Sequence, residues 1–231
     1  MIIKRIFRYI KWVVTLLFIT SILSVIIYRF IPVYCTPLMF IRTFQQIAKG
    51  EKVKLYHQWI SIDEMPENLK IAVIASEDQK FLEHNGFDYK AIKNAAKNNI
   101  HNNKKLRGGS TISQQTAKNV FLWQGRTWIR KGLETYFTVL IELLWSKERI
   151  MEVYLNSIEM GDGIYGIKAV AEKNFNAQPL QLSQYDCALI AATLPNPRDF
   201  SSKNPNRYIR KRAKQIQKQM NNIAVTIKGK L

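Results

Sequence analysis

The segment Glu77-Asp78-Gln79-Lys80-Phe81-Leu82-Glu83-His84-Asn85-Gly86-Phe87-Asp88 places four acids and a histidine directly after the apolar run Ile71–Ala75. Glu77, Phe81 and His84 stand at i, i+4 and i+7, the spacing of one helical face. A carboxylate held at the end of an apolar helix beside an imidazole is partly desolvated, and its shifted pKa suits a general base. A helix end with solvated charges is the plain alternative. A second group follows at Arg107-Gly108-Gly109-Ser110-Thr111-Ile112-Ser113-Gln114-Gln115-Thr116-Ala117-Lys118. Paired glycines and hydroxyls before helix-forming residues fit backbone N–H groups open to an anion such as a phosphate, or a flexible glycine turn with an N-cap Ser or Thr. Gln114 and Lys118, one turn apart, are expected to face that ligand together. The third group, Arg126-Thr127-Trp128-Ile129-Arg130-Lys131-Gly132-Leu133-Glu134, sets three cations near one acid. Arg130 and Glu134 fit an i,i+4 ion pair. Alternatively, Arg126 and Lys118 clamp a pyrophosphate while Glu134 holds a divalent cation against it.

These groups need a frame, and the sequence supplies a helical one. Thr127–Trp145 reads as a long helix; Ser146 caps another to about Asn156, and Ser183 caps one stopped by Pro195. Asn204-Pro205 opens a basic helix to about Met220, Asp88–Asn98 reads as helical, and residues 99–105 as a polar linker. Lys52–Trp59 fits a short strand or an extended lead-in, and Ser61 with Glu64 a capping box. Trp123 and Trp128 are expected in core or interfacial packing. The fold class is therefore mainly α, with one domain over 59–220 and a tail over 221–231.

The 231 residues carry a net charge of +18, which calls for a polyanionic partner: nucleic acid, an anionic membrane or a phosphate-bearing substrate. The N-terminus separates these. Trp12–Tyr28 has no charged residue, and with its extension to residue 33 it is long enough to cross a bilayer. Lys4, Arg5, Arg8 and Lys11, in the basic segment 1–11, predict a cytoplasmic N-terminus under the positive-inside rule. Residues 34–58 then form a juxtamembrane connector, and the domain lies across the membrane, where nucleic acid is not an expected partner. The cysteines, Cys35 and Cys187, suit neither a disulfide nor a metal cluster.

Five blocks in order, EDQKFLEHNGFD, GGSTISQQTAKN, RKGLE, SKERIMEVYLN and ALIAATLPNP, resemble glycosyltransferase family 51, the peptidoglycan glycosyltransferases. The resemblance covers about Trp59–Met220. Bifunctional members add a transpeptidase domain, for which this length leaves no room, so the chain resembles the monofunctional type. The resemblance implies a lysozyme-like α-rich lobe with a smaller lobe dipping into the membrane. It implies polymerisation of lipid II into glycan strands with inversion and release of undecaprenyl pyrophosphate. It assigns Glu77 as general base, Lys118 and Arg126 to the donor pyrophosphate, and Glu134 as a second essential glutamate near Mg²⁺ or Mn²⁺. Ser110, Gln114, Gln115, Arg130 and Lys131 match positions lining or supporting the cleft. It further implies a single-pass bacterial inner-membrane protein with a periplasmic domain, lipid contacts and cell-wall synthesis proteins as partners. A lysozyme-like hydrolase or lytic transglycosylase also uses a glutamate in an α-rich fold, but it protonates a glycosidic oxygen and needs no pyrophosphate site.

Overall fold

The structure, a computed structural model, describes residues 2–90, 92–93, 109–125 and 127–227. Arg126, the 99–105 linker and most of the helix expected over Asp88–Asn98 lie outside these residues. The described chain is mainly helical, as the sequence predicts. Helix α1 spans Ile2–Tyr28 and α2 spans Pro37–Ala48. After strand β1 (Tyr56–His57) and a 3₁₀ turn at Ile62–Glu64, helix α3 covers Glu67–Glu77. Then follow α4 (Ile112–Phe121), α5 (Trp128–Leu144) and α6 (Lys147–Ser157). Strands β2 (Glu159–Gly161) and β3 (Ile164–Tyr165) lead to α7 (Gly166–Val170), α8 (Gln184–Thr193) and α9 (Arg207–Ile227).

Helix α3 is apolar nearly all round, and Leu69–Ala75 are buried without a break. Such a helix is stable only at the centre of a fold, and α8 and α9 pack against it and each other. The expected caps Ser146 and Ser183 are in place, and Thr127, read from the sequence as the first helical residue, is a cap as well: the side chains of Thr127, Ser146 and Ser183 accept the N3 amides of α5, α6 and α8. Each contributes about 1 kcal/mol. The last helix starts at Arg207, with Asn206 Oδ1 accepting from Ile209 N (2.9 Å), and runs to Ile227, beyond the expected end at Met220.

Two regions are more structured than their sequence suggests. The connector holds α2, a 12-residue helix capped by Thr36. Its Leu38 and Met39 pack on Tyr165, so it forms one wall of the domain. Helix α1 is long and apolar enough to cross a membrane, yet its last turns belong to the core. Trp145 Nε1 donates to Val25 O (2.8 Å), Tyr136 bonds Ser21 (2.9 Å), and Arg149 Nη2 donates to Tyr28 O (2.8 Å). Val25 and Val33 are fully buried. The span is thus packed against the domain at its C-terminal end rather than hung from a free linker.

The three-stranded sheet, in order β1-β3-β2, carries the hairpin that matters below. β1 pairs parallel with β3, and β2 pairs antiparallel with it, setting Glu159 opposite Tyr165. Gly163 (φ +72°) and Gly166 (φ +77°) make this possible. A Cβ on either would sit 2.4–2.5 Å from a backbone carbonyl, of Lys54 and Asn156 respectively. Asn156 then ties α6 to the lead-in of α3: its amide accepts from Ile60 N (3.1 Å) and donates to Ile60 O (2.9 Å).

Candidate active site

Glu77 is the last residue of α3. The helix stops there, with Asp78 as its C-cap in a non-helical conformation (φ −159°, ψ 79°), so Glu77, Phe81 and His84 do not share a helical face. Phe81 is fully buried. Asp78 turns inward instead and accepts from His84 Nε2 (2.9 Å) and from the backbone N–H of Ile112 (3.0 Å). This clasp locks the end of α3 onto the start of α4.

It also corrects the expected anion site. The first N–H of α4 is taken by Asp78, and the N–H of Gln114 by Thr111 Oγ1 (3.2 Å). Gln114 in turn accepts from Thr111 N (3.0 Å), completing a capping box. Gln114 is therefore buried structure and does not face a ligand beside Lys118. Ser110 is exposed just before the cap.

The neighbour Gln115 faces the cleft. Its Nε2 donates to Glu77 Oε2 (3.0 Å), and its Oε1 accepts from Tyr154 (3.3 Å). Burial holds Tyr154 neutral, pushing its pKa well above 10.0, so it remains a donor and fixes the amide's orientation. Glu77 keeps some exposure, but protein closes round its carboxyl and desolvation raises its pKa. The hydrogen bond from Gln115 opposes that shift, as do the charges of Arg212 and Lys118, while Asp78 adds to it.

Lys118 lies one turn beyond, half-buried, with no hydrogen bond or ion pair among the described residues. Burial lowers its pKa, Glu134 and Glu77 raise it, and Arg130 and Lys131 lower it. Its charge is thus coupled both to the Glu77 carboxyl and to the α5 cluster. There Glu134, buried, accepts from Arg130 Nη1 (2.7 Å) and Lys131 Nζ (2.5 Å), one cation on each oxygen.

That pairing bears on the expected cation. Among the described residues no three His, Cys, Asp or Glu side chains gather to hold a metal. Glu134 offers one carboxylate already neutralised by two cations, so these residues do not fit a Mg²⁺ or Mn²⁺ site. Neither tryptophan is core: Trp128 is 92% exposed beside exposed Ile129, which leaves the interfacial half of that expectation.

Arg212 of α9 is the residue the sequence pattern hides. It lies among exposed bases, yet it is partly buried, its Nε has no partner among the described residues, and its charge acts on Glu77. A signal existed: Arg212 is three residues after Ile209 and four before Ile216, both buried, so it flanks the apolar face.

The transglycosylase family model matches residues 43–221. The chain is similar to proteins described as biosynthetic peptidoglycan transglycosylases. That of Bacteroides thetaiotaomicron is 58% identical over 95% of this chain and 88% of the relative. That of Bdellovibrio bacteriovorus is 48% identical over 94% and 86%, and that of Caulobacter vibrioides 51% over 85% and 83%. With the family model spanning most of its length and these relatives covering it almost end to end, the chain belongs to the transglycosylase family.

Proposed function

We propose that this protein polymerises peptidoglycan glycan strands from lipid II, anchored by α1 with its N-terminus in the cytoplasm and its domain in the periplasm. The observation that supports this most is Lys118: a half-buried ammonium with no hydrogen bond or ion pair among the described residues, on which the charges of Glu77, Glu134, Arg130 and Lys131 all act. Such a site favours a ligand that brings its own negative charge.

In this reading Glu77 accepts the proton of the acceptor's 4-hydroxyl as that oxygen bonds to C1 of the donor sugar. The bond from C1 to the phosphate oxygen breaks with inversion, and its electron pair leaves on undecaprenyl pyrophosphate. Lys118 meets the charge growing on the pyrophosphate, with Arg126 as its proposed partner, and Glu134 holds Arg130 and Lys131 in place. Gln115 orients the Glu77 carboxylate. Ser110 is proposed to line the cleft mouth, and cell-wall synthesis proteins remain proposed partners.

The test is incubation of the detergent-purified full chain with lipid II. Long glycan strands are expected; release of muropeptides from intact sacculi without any polymer from lipid II would make the protein a hydrolase.

Gln115→Leu tests the base. Loss of that hydrogen bond removes a group that favours ionised Glu77, so the Glu77 pKa rises further. The acid limb of kcat/KM is expected to move to higher pH, with a larger deficit at pH 6 than at pH 8. A uniform deficit at both would place Gln115 outside the base's titration.

A further inference from the structure

The cleft holding Gln115 and Lys118 has further polar lining that the steps above do not use. The whole cleft, Gln115 and Lys118 included, has a volume of about 260 Å³, and Arg42 of α2, Glu159 of β2, and Asn196 and Arg198 after α8 also line it. Leu38, Ile158, Leu194 and Pro195 supply apolar wall.

This polar lining is built but incompletely bonded. Glu159 is 5% exposed, and its Oε1 has no hydrogen-bond partner among the described residues. Its other oxygen stands 3.4 Å from Arg42 Nε, too loose an approach to satisfy that buried N–H. Tyr165, across the ladder, is fully buried and also leaves its hydroxyl unpaired among these residues. Burial raises the Glu159 pKa and Asp162 adds to the rise, while Arg42, a hydrogen bond from the Gly163 amide to the carboxylate, and Arg198 draw it down, so the unmet capacity is that of Oε1. Buried carboxylates and guanidinium N–H groups rarely go unbonded, because each costs its full desolvation. An acceptor and a donor side by side, next to apolar wall, match an acetamido group: its N–H meets Glu159, its C=O meets Arg42, and its methyl lies on the leucine and proline side. A phosphate fits poorly, since the free carboxylate oxygen would face it.

We propose that Arg42 and Glu159 form the recognition site for the 2-acetamido group of one of the substrate's two amino sugars, a specificity site beside the Glu77–Gln115 pair. The inference rests on the proposed reading as a lipid II polymerase. Both sugars carry the same group, so the experiment separates them.

Three substrates are compared with the full-length protein in detergent: lipid II, and two analogues with the acetamido group replaced by hydrogen on one sugar or the other. Wild type is expected to use one analogue about 10- to 100-fold less efficiently in kcat/KM, the effect of stranding a buried charged group. The other analogue should be used nearly as well as lipid II. In Glu159→Gln that discrimination is expected to shrink at least several-fold while melting stays cooperative. Wild type that accepts both analogues within twofold overturns the proposal. So does a Glu159→Gln protein slowed equally on all three substrates, which would reduce Arg42 and Glu159 to a fastening for α2. Should Glu159→Gln fail to fold, Glu159→Asp keeps a charge for Arg42 but withdraws it by one methylene. It must lose discrimination too, and unchanged discrimination there also overturns the idea. Absence of polymer from wild type on lipid II itself would fail the underlying reading instead, a distinct result.

Discussion

Glu77→Gln is expected to abolish polymerisation, by about 10²- to 10⁴-fold, the usual worth of a positioned general base, while leaving the protein folded. Gln115 Nε2 would still have an oxygen to donate to, and the Asp78–His84–Ile112 clasp is untouched, so the geometry around position 77 should survive. Stability should move the other way from activity. The folded-state pKa of Glu77 is raised from 4.5 by burial, so the folded protein holds that proton more tightly than the unfolded chain does. Its contribution to stability is then lost as pH rises from the unfolded value through the folded one. Gln carries no such penalty. At pH 7.5 the variant is therefore expected to melt at or above the wild-type temperature, and the gap should close toward pH 4.5. An inactive variant that also melts lower at neutral pH would mean that ionised Glu77 is a structural charge, and would remove it as the base.

The scaffold was largely written in local signals. Ser146 and Ser183 each precede a periodic run, and each caps a helix where expected. Errors arose where a local pattern had two uses. Gln114 and Gln115 are adjacent amides in one helix, and the sequence reading gave the ligand-facing role to Gln114 beside Lys118. Yet Thr111-x-x-Gln114 is also a capping box, and that use wins because unbonded amides at a buried helix start are costly. The end of α3 was misjudged for a related reason. The i, i+4, i+7 spacing of Glu77, Phe81 and His84 is genuine, but Asp78 gains more by leaving the helix to bond His84 and Ile112. The docking of α1 on Trp145 and Arg149, and of Leu38 on Tyr165, depends on contacts more than a hundred residues apart. No window of sequence contains them.

Removing Glu134 should do the greatest structural damage and also reveal how the pyrophosphate side works. In Glu134→Ala, Arg130, 8% exposed, loses its carboxylate, and an uncompensated buried charge costs about 3–5 kcal/mol. Lys131 is 44% exposed at its side chain, and water can replace its share, so the lower end applies, about 3 kcal/mol or roughly 10 °C in Tm for a chain of this size. Glu134→Gln keeps the shape, should cost less, and isolates the charge. Glu134 is the largest influence raising the Lys118 pKa; without it Lys118 faces Arg130 and Lys131 unbalanced and its pKa falls further. The sign for activity follows: a Lys118 that must be protonated fails at lower pH, so the alkaline limb of kcat/KM should move down in Glu134→Gln. A carboxylate that instead bound Mg²⁺ or Mn²⁺ would give another signature, a shift in the cation concentration needed for half-maximal activity. Because both Glu134 oxygens already serve cations of the chain itself, the pH limb is expected to move and the cation requirement to stay where it is in wild type. The reverse pattern would return Glu134 to the role of metal ligand, with Arg130 and Lys131 displaced when the cation binds.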